Sequence, residues 1–244
     1  MRIRHLRITA LQLRSSSKFV KSIIFTALLL TTGSYNLPAQ KHKTMHTYLA
    51  IGDSYTIGEQ VHIHNNFPYQ TVDLLRKQHV EVSDPVIIAT TGWTTDELAA
   101  SIREHNLTEK FSFVSLLIGV NNQYRGRPVE NYKGEFLQLL NTAISYANDI
   151  PEKVFVLSIP DWGVTPFAHG HDRHKIALEI DAYNAACKEI ALAHHCHFIE
   201  ITQSTREHGQ DNDYLVADHL HPSGKEYAIW AERLAKLVIA EFKN

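Results

Sequence analysis

The sequence predicts a three-layer α/β/α domain built on a parallel sheet of five strands, and three observations carry that expectation. Five short apolar runs lack the in-out alternation of a half-exposed strand, so each reads as a strand buried on both faces. The stretches between them place apolar residues at intervals of three and four, the spacing of a helix that covers a sheet. Beyond residue 45 there is no internal repeat, low-complexity tract or long linker, and 244 residues with 44% apolar content are ample for one core. Residues 45–244 are therefore expected to form a single domain, with right-handed crossovers setting helices on both faces.

In chain order, Met45 to Ala50 (MHTYLA) supplies the first strand, which runs into a polar turn. Phe67 to His79 reads as a helix through Phe67, Val72, Leu74 and Leu75. Val86–Thr90 is a β-branched run, hence the second strand, ending near Gly92. A helix follows with a capping box, Thr94 and Glu97, ahead of Leu98 and Ile102. Phe113–Ile118 is the third strand. The long helix from Val129 to Asn148 buries Tyr132, Phe136, Leu139, Leu140, Ala143, Ile144 and Ala147, and Pro151 stops it. Val154–Ile159 is the fourth strand and Phe198–Ile201 the fifth. Between them lie a loop over 160–172 and a helix with Ile176, Ile180, Tyr183, Cys187 and Ile190 on one face. The last helix opens after His221-Pro222, with Ser223 and Glu226 read as a second capping box, and buries Tyr227, Trp230, Ala231, Leu234 and Val238.

The chemistry gathers at the strand ends. In Ile51-Gly-Asp-Ser-Tyr-Thr-Ile-Gly-Glu59, Ser54 sits where the first strand stops, so its hydroxyl projects beyond the carboxyl edge of the sheet. A serine hydroxyl attacks only when a base takes its proton and a third group holds the base. Val216-Ala-Asp-His-Leu-His-Pro-Ser-Gly224 offers both: Asp218 and His221 are three apart on one loop. His219 is the rival base. Donors for a negative oxygen come from two further strand ends, a backbone N–H at Gly92 in TTGWTT and the side-chain amide of Asn121 in IGVNN.

These four motifs, GDSY, TTGWTT, IGVNN and DHLHPSG, in this order over residues 47–242, resemble the SGNH or GDSL hydrolase family. The resemblance implies Ser54 as nucleophile, His221 as base and Asp218 as its orienter. It makes Gly92, Asn121 and the Ser54 N–H the oxyanion hole, with Asp218 three before His221 as the family spacing. It also supports a flavodoxin-like strand order of 2-1-3-4-5, which brings Ser54, Gly92 and Asn121 together. Family members commonly carry Asp after the third-motif Asn; this chain has Asn122, which bears on local hydrogen bonding. Asp53 is expected to hold the nucleophile turn. It and the flanking Trp93, Tyr124, Arg125 and Trp162 are the candidate residues around the substrate pocket.

The activity implied is a serine ester hydrolase acting on short or medium acyl esters, lysophospholipase- or arylesterase-like, because no long apolar lid segment is evident. A carbohydrate O-acetylesterase is the alternative among esterases, and a non-catalytic glycan- or lipid-binding module on the same fold is the alternative of another class. No cofactor is expected, and the partner is a small-molecule ester. Two histidine-rich stretches, His169-Gly-His-Asp-Arg-His174 and His194-His-Cys-His197, do not repeat a zinc-ligand spacing. Cys187 reads as a small buried residue on a helix face, with Cys196 where that helix ends, and two cysteines make no disulfide framework.

Residues 1–39 differ from the rest. Six basic residues and no acid lead into Ser22–Thr32, an apolar stretch of signal-peptide length and short of the ~20 residues that span a bilayer. Cleavage after Ala39 would give an exported protein, periplasmic or secreted. No cysteine follows the apolar run, so no stable lipid anchor is expected. The other reading starts translation at Met45 and leaves the protein cytoplasmic. After residue 39, 18 basic residues face 26 acidic ones, a balance of −8 with His neutral, which argues against nucleic acid or anionic lipid as a partner.

Overall fold

The structure is a computed structural model that describes residues 45–243; the signal-like segment 1–39 lies outside the described residues. Five strands, β1 (Tyr48–Asp53), β2 (Val86–Thr90), β3 (Phe113–Leu117), β4 (Val154–Leu157) and β5 (His197–Ile199), form one sheet in the order β2-β1-β3-β4-β5. Every pairing is parallel. In the register, Gly52 of β1 faces Ala89 of β2 and Leu117 of β3, so the chain leaves all three strands at one level.

The helices are α1 (Ser54–Ile57), α2 (Phe67–Lys77), α3 (Thr95–His105), α4 (Val120–Tyr124), α5 (Val129–Tyr146), α6 (Arg173–Ala193), α7 (Thr202–His208) and α8 (Gly224–Lys243). Of these, α2 packs extensively on α8, while α3, α5 and α6 pack in series. The result is the three-layer α/β/α arrangement that the sequence predicts. β1, β3 and β4 are buried along their whole length, as runs without alternation require. The expected helix faces are inside: Tyr132, Phe136, Leu139, Leu140 and Ala143 on α5, and Tyr227, Trp230, Ala231, Leu234 and Val238 on α8. Thr94 and Glu97 make the expected capping box on α3. Cys187 and Cys196 are both buried and unbridged.

The structure corrects several local expectations. The first strand is Tyr48–Asp53 and not Met45–Ala50, and β2, at the edge of the sheet, buries only Ile88 fully and is not covered along its length. β4 stops at Leu157 instead of Ile159, because the Asn184 side chain of α6 takes both the N–H and the carbonyl of Ile159. β5 likewise stops at Ile199, since the Ser158 hydroxyl receives the N–H groups of Ile201 and Thr202 and turns the chain into α7. Ser223 and Glu226 do not form a capping box. The Ser223 hydroxyl donates to the Asp213 carbonyl, and the Glu226 carboxylate points inward, 2% exposed.

Candidate active site

The end of β1 is built to present Ser54. Gly52 admits no side chain, because a Cβ there would stand 2.4 Å from the Leu117 carbonyl oxygen. Asp53 is fully buried, and its Oδ1 accepts the Tyr55 N–H at 3.0 Å, capping the single turn of α1. Gly58, at φ +78°, lets the chain leave that turn, and its N–H returns to the Ser54 carbonyl. Burial pushes the Asp53 carboxyl up to about 7, with the Tyr55 N–H opposing.

The chain that carries the other half of the site returns as a small hairpin. Leu215 pairs with Pro222, Val216 N–H donates to the His221 carbonyl, and Ser223 N–H donates to the Tyr214 carbonyl. His219 sits in the turn with φ +58°, is exposed and does not line the cavity that Ser54 lines. His221 instead is 7% exposed, its Nε2 lies 2.9 Å from Ser54 Oγ, and its Nδ1 lies 2.7 Å from Asp218 Oδ2. The other carboxylate oxygen, Oδ1, accepts the N–H groups of Leu220 and His221, each at 2.9 Å. Partial burial would raise the Asp218 pKa, but the hydrogen bonds from the His221 ring and from these two N–H groups outweigh it and hold the carboxyl below its ordinary value. An ionised carboxylate only accepts, so the proton is assigned to Nδ1, and Nε2 is left to receive the Ser54 proton.

Gly92 adopts φ +83°, a conformation that favours glycine. Arg125 Nη2 holds its carbonyl at 2.7 Å, and the Thr91 hydroxyl bonds Glu59, tying this loop to the serine turn. Asn121 stands on α4, and its Nδ2 donates to the Trp93 carbonyl at 3.0 Å, with Asp53 Oδ2 farther off at 3.5 Å. The amide thus stands between a backbone carbonyl and the buried Asp53 carboxyl, at the wall of the cavity that Asn121 lines. Asn122, the departure from the family pattern, is fully buried. It accepts the Thr95 N–H at 3.1 Å and donates to the Thr95 hydroxyl at 2.7 Å. Its hydrogen bonding is thereby satisfied, and it ties α4 to the start of α3.

Ser54, Gly92, Asn121 and His221 all line one cavity of about 170 Å³. Of the flanking residues expected around it, Tyr124 and Trp162 line the wall. Asp53, Trp93 and Arg125 do not: Asp53 is sealed beneath the turn, Trp93 contributes its carbonyl to Asn121, and Arg125 braces Gly92 and pairs with Glu97. Tyr55, Thr91, Phe167 and Leu220 are wall residues that the sequence reading missed. Leu220 could have been found from its place between Asp218 and His221, and Tyr55 from its place next to Ser54. Trp162 is fixed from two sides, its Nε1–H donating to Gln123 Oε1 at 2.8 Å and the Asp161 carboxylate capping its turn. Among the described residues, no group of three or more His, Cys, Asp or Glu is placed to hold a metal ion.

A model of the GDSL-like lipase/acylhydrolase family matches residues 50–229, from within β1 to within α8. The chain belongs to that family. The fold of this GDSL hydrolase recurs in solved structures at low identity. A lipase/acylhydrolase from Enterococcus faecalis is 20% identical with a TM-score of 0.62, over 80% of this chain and 96% of that one. An acetylxylan esterase from Geobacillus stearothermophilus is 18% identical with a TM-score of 0.63, over 79% and 94%. A psychrotrophic esterase from Pseudoalteromonas sp., inhibited by monoethylphosphonate, is 14% identical with a TM-score of 0.59, over 82% and 100%. Against curated proteins the chain finds no match.

Proposed function

We propose that this GDSL hydrolase cleaves carboxylic esters through an acyl-enzyme on Ser54. The observation that carries the reading is the unbroken chain from Ser54 Oγ to His221 Nε2 at 2.9 Å and from His221 Nδ1 to Asp218 at 2.7 Å, facing one cavity. His221 takes the serine proton as Oγ attacks the ester carbonyl, and Asp218 stabilises the imidazolium that results. The N–H groups of Ser54 and Gly92 and the side-chain amide of Asn121 receive the oxyanion. His221 then protonates the departing alcohol, and a water molecule repeats the two steps to release the acid.

The preferred substrates are short or medium acyl esters. A cavity of about 150 Å³ admits a benzene-sized group, so the space here suits a compact acyl group. An O-acetylated sugar is the second reading, favoured by the half-exposed rings of Tyr124 and Phe167 at the cavity wall and by the fold shared with an acetylxylan esterase. Export from the cytoplasm is supported by the basic and apolar pattern of residues 1–39. The test is hydrolysis of short-chain aryl esters and acetylated sugars by the wild type and Ser54→Ala. Turnover lost with the serine supports the enzyme, whereas equal turnover in both proteins refutes it.

A further inference from the structure

Behind the catalytic hairpin lies a carboxylate that the chemistry above does not use. Glu226 stands in the first turn of α8 yet is 2% exposed. Its Oε1 accepts the Ser204 hydroxyl of α7 and, at 2.8 Å, the Trp230 indole N–H. Its Oε2 lies 2.8 Å from Nδ1 of His208, at the end of α7. A buried carboxylate is costly unless its partners are well placed, and removing one leaves the others unsatisfied. Three side-chain partners from two helices satisfy this one.

The cluster reaches the catalytic loop by two routes. The His208 ring stacks on Tyr214 with centroids 4.0 Å apart and planes within 12°. Tyr214 begins the outer strand of the hairpin: its carbonyl holds Ser223, and two residues on, Val216 holds the His221 carbonyl. On the other side, Trp230 lies 6.2 Å from the Tyr55 ring, which lies 5.1 Å from the His221 ring. Tyr55, Leu220 and Trp162 form a common wall between the catalytic cavity and a small hole that Glu226, His208 and Tyr214 close from behind.

We infer that Glu226, through His208 and Tyr214, is a positioning residue that fixes the Asp218–His221 hairpin against Ser54. The inference rests on the hydrolase reading above. Because displacement of a catalytic group by about 1 Å can cost on the order of a hundredfold in rate, loss of the brace falls on kcat and not on substrate affinity. The bonds to Ser204 and Trp230 both end on Oε1, so a glutamine can keep them and turn its Nε2 to the unprotonated Nδ1 of a neutral His208.

The experiment is steady-state hydrolysis of a short-chain aryl ester by the wild type, Glu226→Ala, Glu226→Gln and Tyr214→Leu, each shown to be folded by circular dichroism at the assay temperature. The Ala and Leu variants are expected to lose about tenfold or more in kcat with KM within about twofold, and the Gln variant to keep most of the wild-type kcat. An unchanged kcat in Ala and Leu, a loss carried by KM, or equal losses in Gln and Ala overturns the inference. Should Glu226→Ala not fold, Tyr214→Leu decides, because it leaves the buried carboxylate and its partners intact. A wild type that turns over no ester would instead defeat the hydrolase reading.

Discussion

Asp218 holds His221 by both of its oxygens, Oδ2 at 2.7 Å from the ring Nδ1 and Oδ1 at 2.9 Å from the backbone N–H of the same residue. One carboxylate thus sets the tautomer of the ring and the path of the chain that carries it. A spacing of three residues is what allows this within a single turn, with no help from another element.

Asp218→Asn should keep much of the hairpin, since an amide oxygen can still accept the N–H groups of Leu220 and His221. It places a donor against Nδ1 or loses the charge beside it, and so favours the wrong tautomer. In the proposed mechanism kcat falls by about 10³–10⁴, measured by steady-state kinetics on an aryl ester, with the fold unchanged by circular dichroism.

Asn121→Ala removes one side-chain donor while leaving Ser54 and His221 in place. The expected loss is about 10²–10³ in kcat with little change in KM, because the interaction strengthens as the oxyanion develops. A pure rise in KM would assign Asn121 to ground-state binding instead.

Asp53 titrates near 7 in the fold because it is buried, whereas an exposed Asp titrates near 3.9. Below the unfolded value both states are protonated and the residue has no pH-dependent effect. Between the two values the unfolded chain releases its proton and the folded chain keeps it, so stability falls as pH rises, by about 1.4 kcal/mol per unit of separation. In Asp53→Asn the side-chain oxygen can still accept from Tyr55 N–H while its amide faces the Asn121 donor at every pH, so the thermal midpoint of the variant minus that of wild type should be higher at pH 8 than at pH 3.5. Differential scanning calorimetry at the two pH values measures this.

Gln123→Leu leaves the Trp162 indole N–H without its partner beside the cavity. The ring then loses one of its two anchors, and KM for the ester should rise several-fold with a smaller change in kcat, because the wall and not the reacting groups is perturbed.

The sheet was readable because β1, β3 and β4 are buried on both faces, and a run such as Phe113 to Leu117, apolar but for Ser115, has few other uses. The Ser54 and His221 motifs were readable because each is local. α7 was not: Thr202 to His208 is short and polar, and its turn is set by Ser158, 44 residues upstream of Thr202. Glu226 matched a capping box in spacing, while two of its three actual partners, Ser204 and His208, come from another helix. The pocket wall failed for a related reason. Tyr124 faces the cavity and its neighbour Arg125 faces the Gly92 carbonyl, and adjacency in sequence does not say which way each points.

Labelling with a fluorophosphonate probe, followed by peptide mapping, tests the central claim most directly, because it reports the nucleophile without requiring the natural substrate. A single adduct on Ser54, formed far more slowly in His221→Ala, is the expected result. No adduct on the folded wild type, or one carried by another residue, would contradict it.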